Sequence, residues 1–282
     1  MTIQELQASI ERHFAAGSAA SSDPEAMAAF LALRHLLESG ELRSASPDSA
    51  SPTGWRVNAW VKRGILLGFR LGALEEMPAS GLSFVDKHTY PVRYFTRNDG
   101  IRVVPGGSSI RAGAHLARSV VCMPPMYINA GAFVDEGTMV DSHALVGSCA
   151  QIGKRVHLSA AVQIGGVLEP VNASPVVIED DVLVGGNCGI YEGAIVRKGA
   201  VLASGTILTR GTPIFDLVRG EVLRATAESP LIVPENAVVV PGSRAVAKGK
   251  GQEWGLSLYA AVIVKYRDEK TDLSTTLEEL LR

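Results

Sequence analysis

The chain has 282 residues, with 27 Lys and Arg against 29 Asp and Glu, a formal net charge of −2, 46% hydrophobic content, only 6% aromatic content and 29 glycines. This balance offers no basic surface for nucleic acid. A 20% charged fraction rich in Val, Ile and Leu excludes a disordered chain, and no apolar run approaches the roughly 18 residues of a membrane span. No secretory signal opens the chain, and Cys122, Cys149 and Cys188 are an odd number without CxxC spacing, so reduced thiols in a cytoplasmic protein are expected and a zinc-cysteine centre is not.

Residues 1–100 read as a mixed α/β unit. Ile3, Leu6, Ile10 and Phe14 share one face of a first helix, and Asp23 with Pro24 forms an N-cap and first-turn pair for a second helix ending at Gly40. The Ser, Ala and Pro-rich stretch from Ser44 to Gly54 reads as a surface loop. Trp60, Ile65, Leu66 and Phe69 then mark a third helix, with strands expected from Ser83 to Phe95.

From residue 110 the period changes. Ile110, Leu116, Cys122, Ile128, Val134, Val140, Val146, Ile152, Leu158 and Ile164 recur at a strict spacing of six. Ala114, Val120, Ala132, Thr138, Ala144, Ala150, Val156 and Val162, at the fifth position of their units, are small or β-branched. Neither a helix nor a strand has this period, so it marks a repeat architecture. After a phase shift of two residues between Glu169 and Pro175 the pattern resumes at Ile178, Val184, Ile190, Val196, Leu202 and Leu208, and a break from Gly211 to Leu231 precedes Val233 and Val239.

Three hexapeptides closing a triangular coil give a parallel β-helix in which residues 18 apart stack at roughly 4.8 Å. The fold is therefore mainly β: residues 101–253 form the prism, 1–100 an N-terminal α/β domain, and 254–282 a small C-terminal segment. That segment reads as an apolar strand from Leu256 to Val264 and a helix begun at Thr275 with Glu278 as capping partner. Aromatic residues follow the same division: nine precede residue 101, three follow 253, and only Tyr127, Phe133, Tyr191 and Phe215 lie between.

The runs RVVPGG (102–107), VDEGTMVDSHALVGSCAQIGKRVHLSAAVQIGGVLEP (134–170), SLYAAVIVKYRDEKT (257–271) and GWRVNAWVKRGILLGFR (54–70) resemble the tetrahydrodipicolinate N-succinyltransferases among the hexapeptide acyltransferases. The resemblance covers most of the chain, and it alone implies that the coil is left-handed, against the usual crossover rule. It further implies succinyl transfer from succinyl-CoA to the amine of ring-opened tetrahydrodipicolinate, a step of lysine and diaminopimelate synthesis. The implied assembly is a homotrimer with sites between subunits. No permanently bound cofactor, metal, nucleic acid or membrane is implied.

Amine acylation by a thioester needs a proton acceptor and a site that holds the reacting atoms together. By spacing alone, Asp141 at a coil corner is a turn-forming Asp. The resemblance makes it the ligand of the substrate amine and the base, and makes Arg102 the partner of a substrate carboxylate, which a guanidinium can pair bidentately. Where relatives carry a run like GARSE with a second carboxylate, GGNCG (185–189) places Gly189, leaving Glu192 as the nearby acid, with a solvated surface role as its alternative. His143 replaces a tryptophan of the relatives and is read as lining the cleft, with a role as base the alternative. His157 reads as a structural imidazole.

For coenzyme A, the resemblance implies a path along the prism at small residues, here Gly166, Gly185 and Ala203, with Lys265 and Arg267 as phosphate partners. Lys154, Arg155, Arg197, Lys198 and Arg210 compete for that last role. Two rival readings stand beside this one. The first is the same transfer from acetyl-CoA. The second is a γ-type carbonic anhydrase, which would require zinc histidines that His115, His143 and His157 do not supply in an HxxxxH pair.

Overall fold

The computed structural model describes residues 1–77 and 83–267. Three helices open the chain. Helix α1 (Ile3–Ala15) starts with a reciprocal cap in which Thr2 Oγ1 accepts from Glu5 N at 3.2 Å and Glu5 Oε2 accepts from Thr2 N at 2.8 Å. Helix α2 (Pro24–Ser39) is capped by Asp23 Oδ1, which accepts from Glu25 N at 2.9 Å, and ends at Gly40 in the left-handed conformation, φ +83°. Helix α3 is Ala59–Leu71. Its Gly68 lies so close to Phe30 of α2 that a methyl group there would sit 2.1 Å from the ring, which is why these helices pack at small residues. Leu6, Ile10, Phe30, Leu33, Ile65 and Tyr90 form the core between them, joined by Ala130 and Cys149 of the prism.

Two expectations for this unit need correction. Ser44–Gly54 is not simply a surface loop: Ala45–Pro47 pairs antiparallel with Trp55–Val57, and Ser44 and Ala45 are fully buried. Polar residues are tolerated here because they are satisfied, Ser44 Oγ donating to Cys149 O at 2.8 Å and Asn58 Nδ2 to Arg43 O at 2.7 Å. Within Ser83–Phe95 the strand is Val85–Lys87, paired with Leu74–Glu76; beyond it the chain turns so that Tyr90 is buried and its hydroxyl donates to Ile65 O at 2.6 Å.

The prism consists of two-residue strands stacked in three sheets, here named by one strand of each: the Phe133, Met139 and Leu145 faces. Register follows the repeat, with Met139 beside Val121 and His157, and Leu145 beside Tyr127 and Gln163. The second residue of each strand and the small residue two positions before it form the core, including Val140, Val146, Ile152 and Val156, all fully buried. Burying each large aliphatic side chain is worth roughly 1.5–3 kcal/mol. Thr138 and Thr206 occupy small-residue positions because their hydroxyls donate to Gly153 O (2.8 Å) and Ala203 O (2.7 Å). The corners turn through left-handed residues; between the Met139 and Leu145 faces these are His143, Ala161, Asn187 and Gly205.

Interruptions leave the stack without ending it. Gln151 pairs with Val177, 26 residues on rather than 18, so the apparent shift of two is an eight-residue excursion with no strand between Ile164 and Val177. It is tied to α3 by the buried Lys62, whose ammonium donates to Val167 O and Ala173 O, both at 2.6 Å. The second break carries a hairpin, Ile214–Asp216 with Glu221–Leu223. Beyond it, Ala237–Ala245 leaves the coil to pair antiparallel with Ser257–Tyr266, the strand expected near Leu256–Val264, and together with the hairpin these two strands extend the Met139 face to ten. The helix expected at Thr275 lies outside the described residues. No helix among the described residues is long and apolar enough to cross a membrane.

Candidate active site

Asp141 follows Val140 out of the Met139 face at its corner with the Leu145 face. Its backbone is fixed by N–H donation to Leu158 O at 2.9 Å, and its carboxylate is about 30% exposed. Oδ1 accepts from Ser142 N at 2.7 Å, and Oδ2 lies 3.8 Å from His157 Nε2. Because Leu158 points into the core, strand alternation turns His157 outward, between Met139 and Leu183 on adjacent coils. His157 thus stands against Asp141, a contact that the sequence reading missed.

Arg102 begins the same face. Its register runs Arg102, Val121, Met139, which places it two coils from Asp141, roughly 10 Å along the stack. The side chain is exposed, and among the described residues its guanidinium makes no hydrogen bond or ion pair, so it is available to an anion. His143 is exposed at the same corner as Asp141, held by donation from its N–H to Pro125 O (2.5 Å) and from Gln163 Nε2 to its carbonyl (3.3 Å).

Gly185 and Ala203 fall two and three coils beyond Asp141 in the same corner column, so these three residues trace one edge of the prism. Gly166 is at a different corner, where its close approach to Ser148 leaves no room for a side chain: a methyl group would meet Ser148 N at 2.7 Å. Lys265 pairs with Val238 at the far end of the Met139 face. Arg267 donates to Asp181 O and Gly199 O, both at 3.1 Å, bracing a corner there. Nearby, Arg155 pairs with Asp181 at 2.6 Å, a contact that lowers the Asp181 carboxyl below its usual range.

Glu192 is not beside Asp141 in the subunit. It occupies the other edge of the Leu145 face, two coils away, and its Oε2 accepts from Arg210 N at 2.7 Å. The space a side chain at Gly189 would fill is taken by Tyr191: a methyl group at 189 would meet Tyr191 Cε2 at 2.5 Å and its hydroxyl oxygen at 2.8 Å, and one at Gly165 would meet Cδ1 at 2.8 Å. The half-buried ring thus lies over two glycines of adjacent coils, and among the described residues its hydroxyl makes no hydrogen bond. The signal was present in the sequence, since Tyr191 is one of four aromatics in 101–253.

The thiols are packing groups. Burial pushes Cys122 up to about 12 and Cys149 up to about 11, and the buried Cys188 donates to Ala203 O at 3.1 Å. His115, His143 and His157 stand on the Phe133 face, at a corner and on the Met139 face, so they do not come together within the subunit. Among the described residues the cluster with metal-ligand spacing is His13, Asp23 and Glu25 in the N-terminal unit, where Arg12 already pairs with Glu25 at 3.0 Å and contacts His13 Nε2 at 3.2 Å. A hollow lined by Glu11, Arg43, Arg56 and Arg63 contains none of the candidate residues.

Comparison with known proteins places this geometry. Residues 5–71 match the family model described as the tetrahydrodipicolinate N-succinyltransferase N-terminal region, and residues 175–210 match the hexapeptide repeat of succinyl-transferase, which assigns the prism to the left-handed parallel β-helices. The chain is 42% identical over 254 residues to the 2,3,4,5-tetrahydropyridine-2,6-dicarboxylate N-succinyltransferase of Afipia carboxidovorans, covering 88% of this chain and 86% of that one. Proteins of the same name from Bradyrhizobium diazoefficiens (42% over 290 residues, all of both chains) and Dechloromonas aromatica (40% over 283 residues, 98% of each) are similar along their whole length.

Proposed function

The chain belongs to the tetrahydrodipicolinate N-succinyltransferase family, an acyltransferase family of lysine and diaminopimelate synthesis, and from that premise we propose how its residues carry succinyl from succinyl-CoA to the amine of ring-opened tetrahydrodipicolinate. Asp141 accepts the proton from the substrate ammonium. The freed amine attacks the thioester carbonyl, the C–N bond forms, and the C–S bond breaks to release coenzyme A. What carries this reading is the Asp141 carboxylate, open to solvent at a corner yet fixed on one oxygen by the Ser142 amide.

Arg102 holds a substrate carboxylate, and His143 lines the same corner. Gly185 and Ala203 continue the Asp141 edge and give the extended arm of coenzyme A a side-chain-poor path, with Gly166 as a further approach. Lys265 and Arg267 face its phosphates at the end of the stack. We assign the active assembly as a cytoplasmic homotrimer with clefts between subunits, which presents Glu192 to a neighbouring copy's Asp141 rather than to its own. The coenzyme is a cosubstrate, and the reaction proceeds by direct transfer in a ternary complex.

A thiol-release assay with purified protein and 2-aminopimelate tests the reading. Succinyl-CoA is expected to turn over faster than acetyl-CoA, and Asp141→Asn to lose about a hundredfold or more in kcat. Preference for acetyl-CoA, or near-wild-type turnover by Asp141→Asn, would overturn the acyl assignment or the base, respectively.

A further inference from the structure

We infer that His157 is a positioning residue for the reaction, acting through the Asp141 carboxylate that it faces across adjacent coils; this rests on the reading of Asp141 as the base. Every other side chain in the outward column of this face from Val121 to Val238 is apolar: Val121, Met139, Leu183, Val201 and Val238. A histidine in such a column removes polar atoms from water, which costs free energy unless a polar group answers them. Asp141 lies on that side: its Oδ2 is 3.8 Å from Nε2, and the imidazole is only 15% exposed.

The separation is longer than a hydrogen bond, so the imidazole acts as a polar neighbour whose bulk occupies the space beside Oδ2. It is held rigidly, because His157 N donates to Val182 O at 3.0 Å while Met139 N, in the neighbouring strand, donates to Val156 O at 2.9 Å. Asp141 is thereby constrained at both oxygens, by the Ser142 amide at Oδ1 and by the ring at Oδ2. Two constraints fix the carboxylate plane, and with it the direction in which the remaining lone pairs meet an incoming ammonium. Ala160 and Ser159, which follow His157, offer no ionisable group to replace it. A base aimed in advance improves the chemical step more than substrate binding, because misdirection wastes bound complexes rather than preventing their formation.

A double-mutant cycle separates this role from simple packing. His157→Gln, with His157→Asn as a second variant should the longer amide disturb the coil, is assayed in the wild-type and Asp141→Asn backgrounds with succinyl-CoA and 2-aminopimelate. The expected result is a kcat reduced about tenfold with KM within about twofold in the wild-type background, and a change below about twofold when Asp141 is already Asn. Unchanged kcat in folded His157 variants, or an equal fold-loss in both backgrounds, would overturn the inference while leaving Asp141 as base intact. Absence of succinyl transfer by the wild-type protein would instead overturn the functional reading on which it rests.

Discussion

Gly40 and His115 meet where the end of α2 packs against the prism. The left-handed residue that ends α2 lies flat against the imidazole, so that a methyl group at position 40 would sit 2.7 Å from His115 Cε1. The ring is held there by a 3.0 Å contact between Nδ1 and Glu38 O, and stacks on Phe133 with centroids 4.5 Å apart.

Gly40→Ala is therefore expected to cost stability twice, through a side chain at φ +83° and through displacement of His115. A loss of about 2–5 kcal/mol combines the left-handed penalty with an overpacked contact. Urea denaturation measures it; a loss no larger than the left-handed penalty of about 1–2 kcal/mol would show that the ring yields freely.

His115 gives this joint a pH dependence. Burial lowers its pKa from the ordinary 6.5, while the hydrogen bond to the Glu38 carbonyl opposes that shift. A lowered folded-state value means that the unfolded chain binds the proton first as pH falls. Stability is thus fully present above 6.5 and declines as pH drops from there through the folded-state value. Melting temperatures recorded from about pH 7 to 5 should fall in the wild-type protein, and the slope should flatten in His115→Gln.

Lys62 is expected to control the excursion between Ile164 and Val177. Lys62→Met removes the donor shared by Val167 O and Ala173 O and leaves both acceptors to find other partners, a cost of about 1–3 kcal/mol. Limited proteolysis should then cut within 168–174 faster than in the wild-type protein. An unchanged cleavage rate would mean that the excursion holds its shape without the ammonium.

At Gly189, Ala and Tyr191 compete for one space. Gly189→Ala should destabilise by about 1 kcal/mol, because the ring must lift off its bed. Adding Tyr191→Val should recover most of that loss, so the two changes are not additive. Thermal melts of the two single variants and the double variant decide it, and strict additivity would place the ring elsewhere.

The hexapeptide spacing made the prism legible because its physics is local in sequence: every sixth side chain must fill a narrow interior, and every corner needs a tight turn. The same reasoning found α1 through the shared face of Ile3, Leu6, Ile10 and Phe14 and α2 through Asp23, Pro24 and Gly40, and the family motifs singled out Asp141 and Arg102. It misread Ser44, since a serine that satisfies Cys149 O in a buried seam has the same composition as one in a loop. It also took the excursion after Ile164 for a phase shift of two, because an eight-residue loop and a two-residue slip leave the same remainder when divided by six.

The sequence by itself determined the repeat, the concentration of aromatic residues before residue 101 and their scarcity along the hexapeptides, and the family to which the chain belongs. Only the tertiary structure decided that His157 faces Asp141, that Tyr191 fills the space above Gly189, and that Glu192 stands on the opposite edge of its face from Asp141. Stacking explains the difference. Each of these relationships joins residues on different coils or at different corners, and the lengths of the excursions set which side chains meet.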